Sequence, residues 1–147
     1  MKIGDKLKPF SLQNENGEIV NIDANFGQPL VIYFYPKDDT PGCTKEACAF
    51  RDSFEEFTNA GVTVFGVSAD SPKSHLAFKE KYRLPFSLLT DRGNQLRKTW
   101  NVPSSLFGLL PGRVTYIFDK KGILLHLFNS QLRAEQHITE ALAILQK

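Results

Sequence analysis

Tyr35-Pro36-Lys37-Asp38-Asp39-Thr40-Pro41-Gly42-Cys43-Thr44 (YPKDDTPGCT) is the stretch on which the reading of this chain turns. Before it, Pro29–Tyr35 (PLVIYFY) is a continuous apolar and aromatic run, the mark of a central strand buried on both faces. From Cys43 onward, Ala47, Phe50, Phe54 and Phe57 recur at three- and four-residue steps as far as Asn59-Ala60-Gly61, where Gly61 is a helix stop. Between the two, a pair of prolines, a pair of aspartates and a glycine break the strand at Pro36–Gly42. The stretch therefore predicts a buried strand that runs through a short turn into a helix, with a cysteine at the junction.

Working outward, Val62–Val67 is a second buried strand, and Ser71-Pro72 opens a helix as N-cap and first residue. That helix carries Leu76, Phe78 and Tyr82 and ends before Pro85. Phe86–Thr90 reads as a short strand and Asp91–Trp100 as containing a short helix. Ser104–Gly112 reads as a loop, Arg113–Phe118 as a strand, Asp119–Gly122 as a turn and Ile123–Phe128 as its hairpin partner. Ala134–Gln146 closes the chain as an amphipathic helix bearing Ile138, Leu142 and Leu145. At the other end, Phe10–Gln13 and Glu18–Ile22 flank Asn14-Glu15-Asn16-Gly17, an N-terminal β-hairpin with Asn16-Gly17 as its turn signal. Strands alternating with helices predict an α/β fold with parallel crossovers. A final antiparallel hairpin on that core resembles the thioredoxin architecture: a central mixed sheet flanked by helices, with an N-terminal β-hairpin.

The chain has 147 residues, so a single domain over 1–147 is expected. Apolar residues make up 41% and charged residues 23%, which is globular rather than disordered composition. Lys plus Arg is 18 against 16 Asp plus Glu, a net charge of +2 that argues for neither a nucleic-acid nor a membrane-surface partner. No apolar stretch approaches the ~20 residues of a membrane span, and Met1–Lys8 has no apolar signal core. The 12 phenylalanines are expected to fill the core.

Cys43 and Cys48 are the two cysteines. Two are too few for a disulfide scaffold, and with His75, His126 and His137 scattered they do not make a structural zinc site. Their spacing is not that of a Cys-x-x-Cys dithiol. The first turn of a helix presents unpaired N–H groups and a partial positive charge, which stabilises a thiolate and lowers a thiol's pKa. Cys43 thus has the position of an activated nucleophile, against the plainer alternative of a buried inert thiol. Thr40 brings a hydroxyl to the site, Pro41 fixes the backbone, and Gly42 lets main chain approach whatever Cys43 attacks. On an intact helix Cys43 and Cys48 stand roughly 8.7 Å apart between Cα atoms. A disulfide wants about 4.4–6.8 Å, so the two cannot bond until the helix unwinds. Cys48 otherwise reads as a small core residue beside Ala47 and Ala49. By spacing alone Arg113 reads as a surface arginine, and the three histidines as surface or packing residues. The apolar Phe107-Gly108-Leu109-Leu110 loop reads first as core packing, with lining the approach to the cysteine or contacting a reductant as the alternatives. An oxidant sensor, a general thiol–disulfide oxidoreductase and a plain scaffold with incidental thiols are the alternatives these residues leave open.

The run Tyr35–Asp52 (YPKDDTPGCTKEACAFRD) resembles the peroxiredoxin signature Pro-x-x-x-Thr-x-x-Cys, in the branch called bacterioferritin comigratory protein or peroxiredoxin Q. Leu106–Asp119 (LFGLLPGRVTYIFD) is similar to chloroplast and cyanobacterial members of that branch. The resemblance extends from Gly4-Asp5 to the final helix. It implies a thiol-dependent peroxidase that reduces hydrogen peroxide and organic hydroperoxides. Cys43 matches the peroxidatic cysteine, and Cys48 the resolving cysteine carried on the same helix. Pro36 and Thr40 match the residues that shield the thiolate and hydrogen-bond around it, Arg113 the active-site arginine, and Glu46 a position that braces the arginine. It implies recycling by thioredoxin or a similar dithiol protein, with no metal or organic cofactor. The C-terminal third holds no cysteine, which departs from the dimeric two-cysteine branch and implies a monomer. The expected setting is bacterial or cyanobacterial cytoplasm, or a plastid stroma or lumen for a mature plastid form.

Overall fold

The computed structural model describes residues 1–105, 110–111, 113–129 and 134–145. Strand β3 (Leu30–Phe34) is buried along its whole length because both of its faces are covered. Alternate side chains point to opposite sides of a strand. Val31, Tyr33 and the following Tyr35 enter one core with Phe50, Phe57, Phe78 and Ile138, while Leu30, Ile32 and Phe34 enter the other with Leu96, Trp100, Tyr116 and Phe118. That two-sided burial is why the sequence shows an unbroken apolar run rather than alternation.

The strands β1 (Phe10–Gln13), β2 (Ile19–Ile22), β3, β4 (Thr63–Ser68), β5 (Ser87–Thr90), β8 (Val114–Phe118) and β9 (Leu124–Asn129) form one mixed sheet in the order β2-β1-β5-β4-β3-β8-β9. β3 runs parallel to β4 and β4 to β5, whereas β8 runs antiparallel to β3 and β9 antiparallel to β8. The helices are α1 (Pro41–Asp52), α2 (Phe54–Asn59), α3 (Pro72–Tyr82), α4 (Gln95–Thr99) and α5 (Ala134–Leu145). Phe50 of α1, Phe57 of α2, Phe78 of α3 and Ile138 of α5 share one face, and Leu96 of α4 packs on the opposite face. The thioredoxin-like arrangement expected from the sequence is thus present. The N-terminal hairpin extends the same sheet by pairing Gln13 with Thr90 at the β5 edge, a junction no local pattern encodes.

The structure corrects the sequence reading in several places. The helix expected from Cys43 begins two residues earlier, at Pro41, and breaks at Ser53 (φ −101, ψ 7) into α1 and α2. Apolar spacing continues across the break, with the Phe50 and Phe57 rings 5.7 Å apart, so periodicity could not reveal it. Asp91–Trp100 holds the expected short helix, α4, with a 3-10 turn at Arg92–Asn94 before it. Inside the expected 104–112 loop, β6 (Ser104–Ser105) pairs with β7 (Leu110–Pro111). Leu110 of the apolar loop lies in β7, and Phe107, Gly108 and Leu109 lie outside the described residues. Of the two readings open for the histidines, His75, fully buried, and His126, edge-on against Phe128 at 4.4 Å, take that of packing residues, while the His137 side chain lies outside the described residues.

Gly66 marks the tightest point of the sheet. A Cβ there would lie 2.8 Å from the Tyr33 ring and hydroxyl and 2.9 Å from a Leu88 methyl. Its two strand neighbours in register are Tyr33 and Leu88, so neither can retreat along the sheet. Gly66→Ala should cost about 1–3 kcal/mol of stability by overpacking. Urea unfolding of the variant measures this, and an unchanged midpoint would show that the core gives way freely.

Candidate active site

Three segments converge where β3 ends. The first is the turn into α1. Pro41 at the first helical position lacks the N–H that would go unpaired there. Thr40, extended at φ −92 and ψ 155, starts the helix, and its carbonyl accepts from the Thr44 N–H at 2.8 Å. Cys43 is therefore the third helical residue. In this first turn the backbone N–H groups have no acceptor within the helix and carry the positive end of its dipole. Cys43 is buried, 2% exposed.

The second segment brings Arg113. Antiparallel pairing sets Phe34 opposite Val114, so Arg113 arrives beside the residue that follows β3, 70 positions from the cysteine in sequence. Far from being a surface residue, Arg113 is 3% exposed. Its Nη2 donates to Cys43 Sγ at 3.3 Å and its Nη1 to Glu46 Oε1 at 2.7 Å. Glu46 lies one turn beyond Cys43 on the same face of α1 and is fully buried. Gly42 makes room for the guanidinium, since a Cβ there would stand 2.9 Å from Nη2. Burial pushes the Glu46 carboxyl up to about 7, against the opposite pull of Arg113. Burial lowers Arg113 in turn, but Glu46 and Cys43 beside it outweigh that and leave it raised. The group bridging sulfur and carboxylate is a firm cation.

The third segment supplies Arg97 of α4, which the sequence reading missed. It is 7% exposed, its Nη2 donates to the Tyr35 carbonyl at 3.4 Å, and its guanidinium lies 5.4 Å over the Phe34 ring. Burial lowers its pKa, while Asp91, Tyr116 and Cys43 act to raise it. Cys43 therefore sits in the field of two buried guanidinium groups. Nothing in the local sequence Gln95-Leu96-Arg97-Lys98 separates Arg97 from the exposed lysine beside it.

Below the turn is a second polar cluster. Asp38 accepts from the Tyr35 hydroxyl at 2.5 Å and from Ser74 Oγ at 2.9 Å, and its Oδ2 pairs with His75 Nδ1 at 2.8 Å. His75 Nε2 faces the Leu89 carbonyl at 3.0 Å. Asp38, Asp70 and His75 place ligand atoms within 4.8 Å of one another, the geometry of a cation site. Donors already converge on those carboxylates, however: Asp70 Oδ2 accepts from the Asp38 N–H at 2.8 Å and from Ser68 Oγ at 2.6 Å. The cluster satisfies itself and fastens the turn to α3 and β4.

The other residues singled out from sequence are placed as follows. Pro36 is half-buried at the start of the turn. Thr40 is half-buried, but its hydroxyl donates to the Lys37 carbonyl at 2.9 Å, within the turn, and not to the sulfur. Cys48 is on the same unbroken α1, half-buried, beside a cleft of about 400 Å³ walled by Lys45, Asp52, Ile138 and Thr139. It is a cleft residue more than a core one. Both thiols are free, as the separation of roughly 8.7 Å along a wound helix requires.

Residues 3–127 match the AhpC/TSA family. The chloroplastic peroxiredoxin Q of Populus jackii is 55% identical over 143 residues, covering 97% of this chain and 67% of that protein. Among solved structures, peroxidoxin BcpB of Mycobacterium tuberculosis superposes with a TM-score of 0.90 at 33% identity, over 99% of this chain and 97% of that one. The bacterioferritin comigratory protein of Xanthomonas campestris gives 0.85 at 31% identity, over 97% and 98%. The class these define together with the sheet and the cysteine at its helix start is that of the thiol-dependent peroxidases. The chain belongs to the AhpC/TSA family, on the branch of peroxiredoxin Q and bacterioferritin comigratory protein.

Two predictions follow from this geometry. Gly42→Ala should push the Arg113 guanidinium off the sulfur and slow the reaction of Cys43 with peroxide about a hundredfold, the scale for losing one preorganised donor; stopped-flow kinetics would show it, and a wild-type rate would remove that contact from the chemistry. Glu46 is the second case. Its folded pKa of about 7 lies above the ordinary 4.5, so between those values the folded chain holds a proton that the unfolded chain has released. Its contribution to stability therefore falls as pH rises through that window. Relative to wild type, Glu46→Gln should gain stability from pH 4.5 to 7, read by urea unfolding across the range. A constant difference between the two proteins would contradict the raised pKa.

Proposed function

We propose that this chain is a single-domain, monomeric peroxidase in which Cys43 reduces hydroperoxides, Cys48 resolves the product, and thioredoxin or a similar dithiol protein restores both thiols. The observation that carries the reading is the Arg113 guanidinium donating to Cys43 Sγ at the start of α1. The Cys43 thiolate attacks the terminal oxygen of the hydroperoxide. The O–O bond breaks, the sulfur gives up two electrons and becomes a sulfenic acid, and an alcohol or water leaves with the proton. Arg113 and the first-turn N–H groups stabilise the charge moving onto the departing oxygen. Thr40 orients the turn through Lys37, and Pro36 limits water at its mouth. Helix α1 then unwinds, the Cys48 thiol displaces water from the sulfenic acid, and a Cys43–Cys48 disulfide forms. Exchange with the external dithiol reduces that disulfide and oxidises the partner.

A hydroperoxide substrate and a thiol reductant are common to the homologous enzymes. The Xanthomonas structure is described for alkyl peroxide reduction, which supports organic hydroperoxides as substrates here as well. The Populus relative is chloroplastic, which supports a plastid stroma or lumen as the setting of a plastid form, with bacterial or cyanobacterial cytoplasm as the counterpart. Among the described residues no helix is long and apolar enough to cross a membrane.

The test is hydrogen peroxide consumption by the purified protein with thioredoxin and its reductase. Cys43→Ser should abolish it. Cys48→Ser should leave a single turnover and stop cycling; cycling at the wild-type rate would show that another thiol resolves the sulfenic acid.

A further inference from the structure

The turn between β3 and α1 is fastened to α3 by two adjacent carboxylates facing opposite ways. Asp38 points inward to His75 and Ser74. Asp39 points outward to the last turn of α3, where its Oδ2 accepts from Lys81 Nζ at 2.8 Å and its Oδ1 from the Tyr82 hydroxyl at 2.7 Å. The Lys81 ammonium lies 5.3 Å over the Tyr82 ring, so the two donors are already aligned. Asp39 itself sits at φ +57, in the left-handed region that residues with a Cβ disfavour. Beyond the cysteines, Arg51 Nη1 donates to the Tyr82 carbonyl at 2.8 Å, tying the far part of α1 to the same turn of α3. Cys43 and Cys48 both lie between these two ties.

We propose that Asp39 is a positioning residue for Cys43, whose clasp on Lys81 and Tyr82 keeps the first turn of α1 wound and so sets how readily Cys43 is released toward Cys48. The inference rests on the reading of Cys43 and Cys48 as a peroxidatic and resolving pair. For these sulfurs to bond, the Cα atoms must approach from roughly 8.7 Å to about 4.4–6.8 Å. That breaks the first helical bond, from Thr44 N–H to the Thr40 carbonyl. Thr40 follows Asp39 directly, so the left-handed dihedral of Asp39 aims the chain into the helix. While the clasp is closed, Lys81 and Tyr82 offset the strain of that dihedral. When it opens, Asp39 relaxes to an ordinary conformation and the helix start swings away with Thr40. Clasp and first turn therefore open together.

The sulfenic acid on Cys43 has two fates. In the unwound state the Cys48 thiol attacks its sulfur, water leaves and the disulfide forms. In the wound state a second hydroperoxide transfers an oxygen to the sulfur, which becomes a sulfinic acid as an alcohol or water leaves. A loosened clasp favours the first fate.

The experiment treats the full-length chain with graded hydrogen peroxide and measures sulfinic acid against disulfide by mass spectrometry, with amide exchange at Thr44 in parallel. The Asp39 and Lys81 side chains are 43% and 58% exposed, so substitutions there spare the core. Asp39→Ala loses the clasp and keeps the strain. The peroxide concentration for half-maximal sulfinic oxidation should rise about fivefold, with faster Thr44 exchange. Asp39→Gly loses both clasp and strain and should shift less than Asp39→Ala. Lys81→Met and Tyr82→Phe should each shift about twofold, as should Asp39→Asn, which tolerates the left-handed region but keeps one acceptor oxygen for the two donors. If Asp39→Ala partitions as wild type does, or shifts no more than Asp39→Gly, the clasp is overturned while the peroxidase reading stands. A wild-type chain that forms no sulfenic acid at Cys43 overturns the peroxidase reading, and the clasp with it.

Discussion

One guanidinium touches both the sulfur and the carboxylate, and the architecture around the site makes that contact unavoidable. Arg113 is held by β8, Cys43 and Glu46 by α1, and the antiparallel pairing of β8 with β3 fixes the distance between them. Burying a cation is costly unless anionic or accepting partners surround it. Here Glu46 and the Cys43 sulfur fill that role, and Gly42 supplies the space. Each member depends on the others: without Arg113 a buried Glu46 would lose its ion-pair partner, and without Glu46 the cation would press on the sulfur alone. The same buried surroundings strengthen the attraction between Arg113 and a negative sulfur, because little solvent lies between to screen it.

The chemistry asks for two incompatible geometries from one helix. In the reaction proposed above, attack on a peroxide uses the wound first turn, with the Cys43 sulfur on Arg113. Disulfide formation requires that turn to open. Such opening lies within the range of local unfolding when few bonds are broken. Helix α1 is suited to it, since its start is a proline and a glycine with no side-chain cap, while Ala47 and Phe50 further along are locked in the core. The first turn is held by the Arg113 contact to Cys43 and by the Asp39 clasp in place of a side-chain cap, while the far end is held by apolar packing.

Much of this was legible in the sequence. The two-sided burial of Leu30–Phe34 appeared as an unbroken apolar run, the α3 start as Ser71-Pro72, and the N-terminal hairpin as Asn16-Gly17. Cys43 could be placed at a helix start because strand, turn and helix signals met there. Three things escaped it. The break at Ser53 leaves the apolar spacing intact. The pairing of His75 with Asp38 joins the start of α3 to the turn after β3, 37 residues apart. Arg97 differs from its exposed neighbour Lys98 only in facing the core. None of these leaves a trace within a local window.

The sequence by itself determined the order of the main-sheet strands and the helices between them, the location of the thiol at an electropositive helix start, and the impossibility of a Cys43–Cys48 bond while that helix is wound. These follow from short-range rules: periodicity, turn chemistry and helical rise. Only the tertiary structure decided that Arg113 meets the sulfur with Arg97 buried nearby, that burial raises the Glu46 carboxyl to about 7, and that Asp38 and Asp39 grip α3 at its first and last turns. Those depend on which residues sheet register brings together and on how far solvent is driven out between them. Both are properties of the packed chain, not of any stretch of it.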